Sequence, residues 1–309
     1  MKRIILSAIG FLIFFFVLAS GETLKFEISS LKPYQGSVIR IEVPKKRFKK
    51  KLKNGEIKIV YELETNFLVR VFDKEYPPMN FEKKAAVFVG IDYRAEPEFY
   101  PMEIILVDEG GNKFAGIPKF LSVRKKYPKL NYQPPPGRSW AEQNKIDEES
   151  ERIQQIFESK SVYFPAKSEN FQWPLMPAEI TGKFGIKKCW GKKISSCRYH
   201  TGTDFRSAFD KFHRKPENVY PINGGIVAEV RDYYLEGKTV IIDHGAGIKS
   251  SYFHLSKFYC KKGAIIKKNQ PLGRTGHTGM GIQYNHLHLM ITINGAVVDP
   301  HKFLRENAK

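Results

Sequence analysis

The chain has 309 residues, 42% of them hydrophobic and 27% charged. That balance excludes a chain disordered throughout, and the length predicts two domains with connecting segments. The formal charge of +19 fits either a polyanionic partner or a lysine-rich solvated surface; no nucleic-acid-binding motif accompanies the dense run Lys45 to Lys53, so basicity alone does not indicate DNA or RNA.

In chain order, Lys2 and Arg3 precede an uncharged, largely apolar stretch from Ile4 to Ala19, followed by the small residues Ser20 and Gly21. Basic, apolar and small-residue regions in that order predict a secretory signal over residues 1–21, cleaved after Ala19 or Gly21. The run is short for a membrane-spanning helix but long for a signal core, so an uncleaved anchor is the alternative. No cysteine is placed to carry a lipid. Either form predicts export to the periplasm or cell wall.

From residue 22 to about 125 the pattern is that of strands. Ile39, Ile41 and Val43 alternate with polar residues, as do Ile57, Ile59, Tyr61 and Leu63, then Phe67, Val69 and Val71, then Met102, Ile104 and Leu106. Period-two alternation with turn signals such as Asp108 to Asn112 predicts an immunoglobulin-like β-sandwich. This region has no histidine and no catalytic constellation, and reads as a binding, spacing or regulatory module.

Residues 126–172 read as a linker, opened by Pro134-Pro135-Pro136-Gly137. Within it, Ser139 followed by Glu142 is a capping-box signature, and Ile146, Ile153 and Phe157 fall on one helical face, predicting a helix over about 139–159. From 173 to 309 the chain is again rich in strand signals and turn glycines, and all eight histidines lie at or beyond His200. Cys189 and Cys197 are near enough in sequence for a short disulfide loop, with Cys260 left over; three unpaired thiols fit equally well.

Two local patterns carry chemistry. His200-Thr201-Gly202-Thr203-Asp204 sets a histidine four residues before a carboxylate, and His286-Leu287-His288 lies in an apolar run. Residues i and i+2 of a strand share a face, so His286 and His288 project together. Neutral imidazoles and a carboxylate are the ligand types of a catalytic zinc, which takes three protein ligands and leaves one position open. Alone, an H-x-H is more often two unrelated strand histidines than a metal site. Tyr252-Phe253-His254-Leu255-Ser256 supplies a further histidine between the two patterns.

With its flanking blocks the sequence from about Ile180 to Leu304 resembles the lysostaphin/LytM-type zinc metallopeptidases, which cut peptidoglycan. The resemblance runs in order through Gly182-Lys183-Phe184-Gly185, His200 to Phe205, Val219-Tyr220-Pro221, Gly225-Ile226-Val227 and Val240 to Gly245. It continues through Ser251 to Ser256, Gly273 to Gly276, His286-Leu287-His288, Asn294-Gly295 and Val298-Asp299-Pro300. The N-terminal region is more loosely similar to the β-domain of some envelope members.

The resemblance implies an antiparallel β catalytic domain, His200, Asp204 and His288 as ligands of one zinc ion, and His254 and His286 as the catalytic pair. His244 matches a family position outside the metal shell. His277 has no matching role, and His213 and His301 read as surface residues. Three departures fall near the expected cleft: the longer turn Thr278 to Asn285, Met290 where a glutamate is common, and an insertion from Ala208 to Pro216.

The implied function is a zinc endopeptidase hydrolysing peptidoglycan cross-links. Its partners would be stem peptides, with contact to anionic envelope polymers and an envelope regulator also open. The rivals are a non-catalytic wall-binding or amidase-regulating protein, disfavoured because every ligand position is filled, and a zinc D-alanyl carboxypeptidase. Related carboxypeptidases place the first histidine and the aspartate farther apart than His200 and Asp204.

Overall fold

Alternating apolar and polar residues draw the chain's regular structure mostly into antiparallel strands, as expected from the sequence. The computed structural model describes residues 4–6, 12–17, 23–51, 57–63, 66–108, 110–130, 139–161, 170–190, 196–208 and 215–308. The Ala208 to Pro216 insertion, with His213, therefore lies largely outside the described residues, as does the Pro134 to Gly137 segment.

The N-terminal region holds two antiparallel sheets. One is built around Thr23–Ile28, Val38–Pro44 and Lys84–Gly90. The other runs Lys113–Ser122, Phe99–Val107, Asn66–Val71, Lys74–Tyr76. In Asn66–Val71, Phe67, Val69 and Val71 are buried while Asn66 and Arg70 are exposed, the period-two pattern read from sequence. The two inner faces meet, with the rings of Phe26 and Phe67 packed edge to face at 5.8 Å. The basic run falls largely on Lys46–Lys51, which pairs with Ile57–Glu62 as a separate hairpin.

The apolar run read as an export signal contributes two strands, Ile4–Leu6 and Leu12–Val17, the latter paired along the edge of Thr23–Ile28. Its Ile, Phe and Val residues suit a strand, and the edge offers unpaired backbone groups to receive it. Among the described residues no helix is long and apolar enough to cross a membrane.

The helix Trp140–Glu158 begins as its capping box requires: Glu142 N–H donates to Ser139 Oγ at 3.2 Å and Ser139 N–H to Glu142 Oε2 at 2.9 Å. Its buried face is Ile146, Glu149, Ile153 and Phe157. Ile153 and Phe157 pack against Tyr233 and Ile241 of the C-terminal sheet, and Arg152 pairs with Glu229 at 2.7 Å. Buried Lys249 donates to the carbonyl of Ser159, where the helix ends, at 2.7 Å. The helix is thus packed against the C-terminal sheet as part of that region.

The C-terminal sheet runs Ala178–Gly182, Thr203–Ser207, Leu287–Ile293, Ile248–Leu255, Gly237–Asp243, Gly225–Tyr233, Ile265–Ile266, with Ala296–Val298 paired to Leu287–Ile293. Ile248–Leu255 is buried along its whole length, because both faces of this central strand are covered. The two regions share one continuous core. Asp299 N–H donates to Gly36 O at 2.9 Å, Val297 N–H donates to Asp92 Oδ2 at 2.8 Å, and Phe88 packs edge to face on Phe171 and Phe303. Tyr127 and Phe171, near the two ends of the segment read as a linker, are both buried.

Candidate metal centre and catalytic cleft

Antiparallel register brings the candidate ligands together. Asp204 in Thr203–Ser207 lies directly opposite His288 in Leu287–Ile293, and His288 lies opposite Phe253 of the next strand. Cross-strand partners present their side chains on one face, so residues far apart in sequence become neighbours. His200 joins them from just before Thr203–Ser207, held by Gly185 N–H to His200 O at 2.8 Å and His200 N–H to Ile186 O at 2.9 Å.

The donor atoms converge closely. Asp204 Oδ1 is 2.8 Å from His288 Nδ1 and 3.0 Å from His200 Nε2, and the two imidazole nitrogens are 2.9 Å apart. His200 Nδ1–H donates to Lys183 O at 2.9 Å, which turns the Nε2 lone pair toward Asp204 and His288. At zinc–ligand distances of about 2.0–2.2 Å, the ligands of a tetrahedral site stand about 3.3 Å apart, so a shift of a few tenths of an ångström fits the three donors to the ion. The close approach depends on two glycines: a Cβ on Gly182 would collide with the Asp204 carboxylate, and one on Gly202 with the His288 imidazole.

Burial alone would raise the Asp204 carboxyl, but the closely set His200 and His288 rings more than offset it and hold the group well below the usual carboxylate range. Burial pushes His288 down to about 4, against the pull of the Asp204 carboxylate. Two imidazoles and an ionised carboxylate form a donor set that suits a divalent zinc.

His254 and His286 stand beside this cluster, with ring centroids 5.0 Å apart. His254 Nδ1–H donates to Thr278 O at 3.0 Å and His286 Nδ1–H to Tyr284 O at 2.9 Å. A carbonyl only accepts, so each neutral ring carries its proton on Nδ1 and keeps the Nε2 lone pair available. His286 Nε2 lies 4.0 Å from Asp204 Oδ1. Burial pushes His254 down to about 3, helped by the neighbouring His288 and His286.

His254 also has a positive φ of 62°, where the pairing of Gly237–Asp243 with Ile248–Leu255 shifts register between Lys238 and Val240. A non-glycine residue there costs about 1–3 kcal/mol, offset by surrounding structure that re-aims the ring.

These residues line a cleft of about 280 Å³. The helix contributes Ile153 to its wall, the N-terminal region contributes Tyr93, and the departures noted in sequence, Met280, Ile282 and Met290, line it too. Tyr93, Ile153, Lys188 and Glu236 carry no motif, and only the tertiary arrangement reveals them as wall residues. Glu236 is raised above the usual carboxylate range by burial.

Cys189 and Cys197 form a disulfide across the hairpin Lys187–Trp190/Ser196–Tyr199, which carries Lys188, Arg198 and Tyr199 into the wall; Cys260 is free. His244 is fully buried, bonded to Gly224 O at 2.9 Å and Ser250 Oγ at 2.7 Å, outside the metal cluster. His277 is exposed on Asn285, and His301 packs on Trp173, neither of them lining the cleft.

Comparison with known proteins follows the same residues. Residues 198–300 match the model of peptidase family M23. Over 103 residues the chain is 33% identical to the peptidoglycan DD-endopeptidase ShyA of Vibrio cholerae and 32% identical to ShyB of the same organism. Each match takes in 33% of this chain and 22% of the relative, so the chain aligns with about a fifth of the length of these relatives. The crystal structure of a protein described as an M23 peptidase from Pseudomonas aeruginosa superposes with a TM-score of 0.57. That likeness covers 88% of this chain and 95% of the other at 21% identity, and is one of fold.

Proposed function

We propose, from the premise that the chain carries a peptidase family M23 domain over residues 198–300, that it is an exported zinc endopeptidase hydrolysing peptide cross-links of peptidoglycan. The observation that carries this reading is the convergence of His200, Asp204 and His288 beside two histidines whose Nε2 lone pairs are free. The peptidoglycan substrate is supported by the two Vibrio relatives, whose names state that activity. Export is supported by the basic and apolar N-terminus and by the Cys189–Cys197 disulfide, a bond that persists in oxidising compartments.

His200 Nε2, an Asp204 oxygen and His288 Nδ1 would hold the zinc. When bound, the ion supplies Lewis acidity that makes water nucleophilic near neutral pH and polarises a carbonyl. Nε2 of His254 or His286 accepts the proton lost by the attacking water. The ring that then carries a proton hydrogen-bonds the developing oxyanion, and the proton passes to the departing amine nitrogen as the C–N bond breaks. His254, whose Nδ1–H is held by Thr278 O, presents its Nε2 lone pair as one such acceptor. Cross-links are favoured over free peptide ends because the cleft continues past Tyr93 and Tyr199 into adjoining space, which leaves room for substrate beyond the scissile bond.

The test is mass spectrometry of muropeptides released from purified sacculi by the zinc-loaded chain, with His288→Ala as control. Loss of cross-linked dimers only with the intact chain is the expected result and identifies the bond. Unchanged dimers in both samples would refute the reading.

A further inference from the structure

A second cavity, of about 750 Å³, adjoins the cleft at the junction of the two domains. Tyr93, Arg198 and Tyr199 line both spaces, so a chain leaving the metal centre along that wall passes directly from one to the other. Arg198 and Tyr199 immediately precede the ligand His200, on the disulfide-closed hairpin. The opposite wall comes from the N-terminal region and the segment leaving it, including Lys125, Tyr127 and Lys129.

The lining is cationic and aromatic. It holds Arg94, Lys125, Lys129 and Arg198 against a single carboxylate, Glu96. Glu96 pairs with Lys129 at 2.7 Å, and Arg94 pairs with Asp92 at 2.9 Å. Lys125 and Arg198 both lie at exposed positions. Tyr93, Tyr127 and Tyr199 form one packed group, with ring centroids 5.2–6.4 Å apart, that supplies flat, rigid walls. Positive charge around an aromatic floor is complementary to a short acidic peptide, whose carboxylates meet the cations while its backbone and apolar groups lie on the rings.

We propose that this interdomain cavity is a substrate subsite that seats a carboxylate-bearing stem peptide of the cross-linked substrate, across Tyr93 and Tyr199 from the scissile bond. The assignment rests on the hydrolase reading above and deepens it. It gives the N-terminal region a function its sequence does not display, because the cavity exists only where that region meets the catalytic domain. Tyr93 is then part of the substrate path and not a lid over it.

The experiment measures calorimetric binding of a monomeric disaccharide-tetrapeptide with free carboxylates, and of the same compound with its carboxylates amidated, to the full wild-type chain. The monomer has no cross-link to cut, so binding is read without turnover. The acidic probe binds on the order of tenfold more tightly than the amidated one at low salt, and the gap narrows at high salt. Lys125→Glu/Lys129→Glu, both at exposed positions, abolishes the difference, and Tyr93→Ala weakens both probes.

Equal affinity of the two probes, no binding of either, or a preference that survives the double charge reversal overturns the subsite. Tighter binding after Tyr93→Ala also overturns it, in favour of a lid. Charge-dependent binding by a chain that leaves sacculi intact would sink the hydrolase reading and leave the subsite standing. Cleavage of sacculi without any preference for the acidic probe would do the reverse.

Discussion

The N-terminal sheets close over Ile28, Ile39, Ile41, Val69, Val87 and Val89, whereas the C-terminal sheet buries His200, Thr203, Asp243, His244, Lys249, Ser250, His254 and Thr292 among its apolar residues. The first kind of interior is stabilised by removing apolar area from water, at about 25 cal/mol per Å². The second must also find partners for its buried polar groups, at a cost of about 1–3 kcal/mol for each left without one, as the Thr203 and Thr292 hydroxyls are. His244 shows how the requirement is met: it bonds to Gly224 O and Ser250 Oγ, and Ser250 Oγ bonds in turn to Tyr252 Oη, which accepts from Ile222 N–H. Two regions built from the same antiparallel strands differ in what their interiors hold. The polar one holds the candidate site.

The contrast can be broken most severely at the candidate metal centre. His288→Ala removes a donor from the middle of the cluster; zinc measured by mass spectrometry falls to background and turnover is lost. Retention of stoichiometric zinc by this variant would show that His288 is not a ligand. His254→Ala keeps the zinc but lowers kcat by about 10²–10⁴-fold, read on a soluble cross-linked muropeptide. In the apolar interior, Ile41→Ala costs about 2–5 kcal/mol in urea unfolding and leaves zinc content per folded chain unchanged.

Acid acts on the polar interior. Burial pushes the folded His244 down to about 4, below its unfolded value near 6.5. Between those values the unfolded chain binds more protons, so the stabilisation from keeping His244 neutral is complete above about pH 6.5 and is lost as pH falls toward 4. The expected loss is on the order of 3 kcal/mol, measured by denaturant unfolding at stepped pH. A flat profile across that window would contradict a neutral buried imidazole. The smallest effect belongs to the helix: Ser139→Ala costs about 1 kcal/mol, with zinc content unchanged.

Much of this was legible in the sequence because it depends on local periodicity. Phe67, Val69 and Val71 alternate in and out as written, Ser139 and Glu142 close the predicted box, and Ile146, Ile153 and Phe157 are buried on one helix face. The five histidine and aspartate residues singled out from ordered motifs are brought to one cleft. The cysteine pairing stayed open until Cys189 and Cys197 were found directly opposite each other in a hairpin. Nothing in the neighbourhood of Tyr93, Ile153 or Glu236 marks them as cleft residues, since each reaches the site from a different element.

By itself the sequence determined the antiparallel β class, the capped helix and the residue types that suit a zinc hydrolase, because strand alternation, helix capping and donor chemistry are properties of neighbours along the chain. Only the tertiary structure decided which nitrogen of each histidine is free, that His254 has a left-handed backbone, and that the N-terminal region and the helix wall the cleft. Those features depend on cross-strand register and on carbonyls such as Lys183 O, Thr278 O and Tyr284 O. A backbone carbonyl is present at every residue, so its position becomes informative only once the chain has folded.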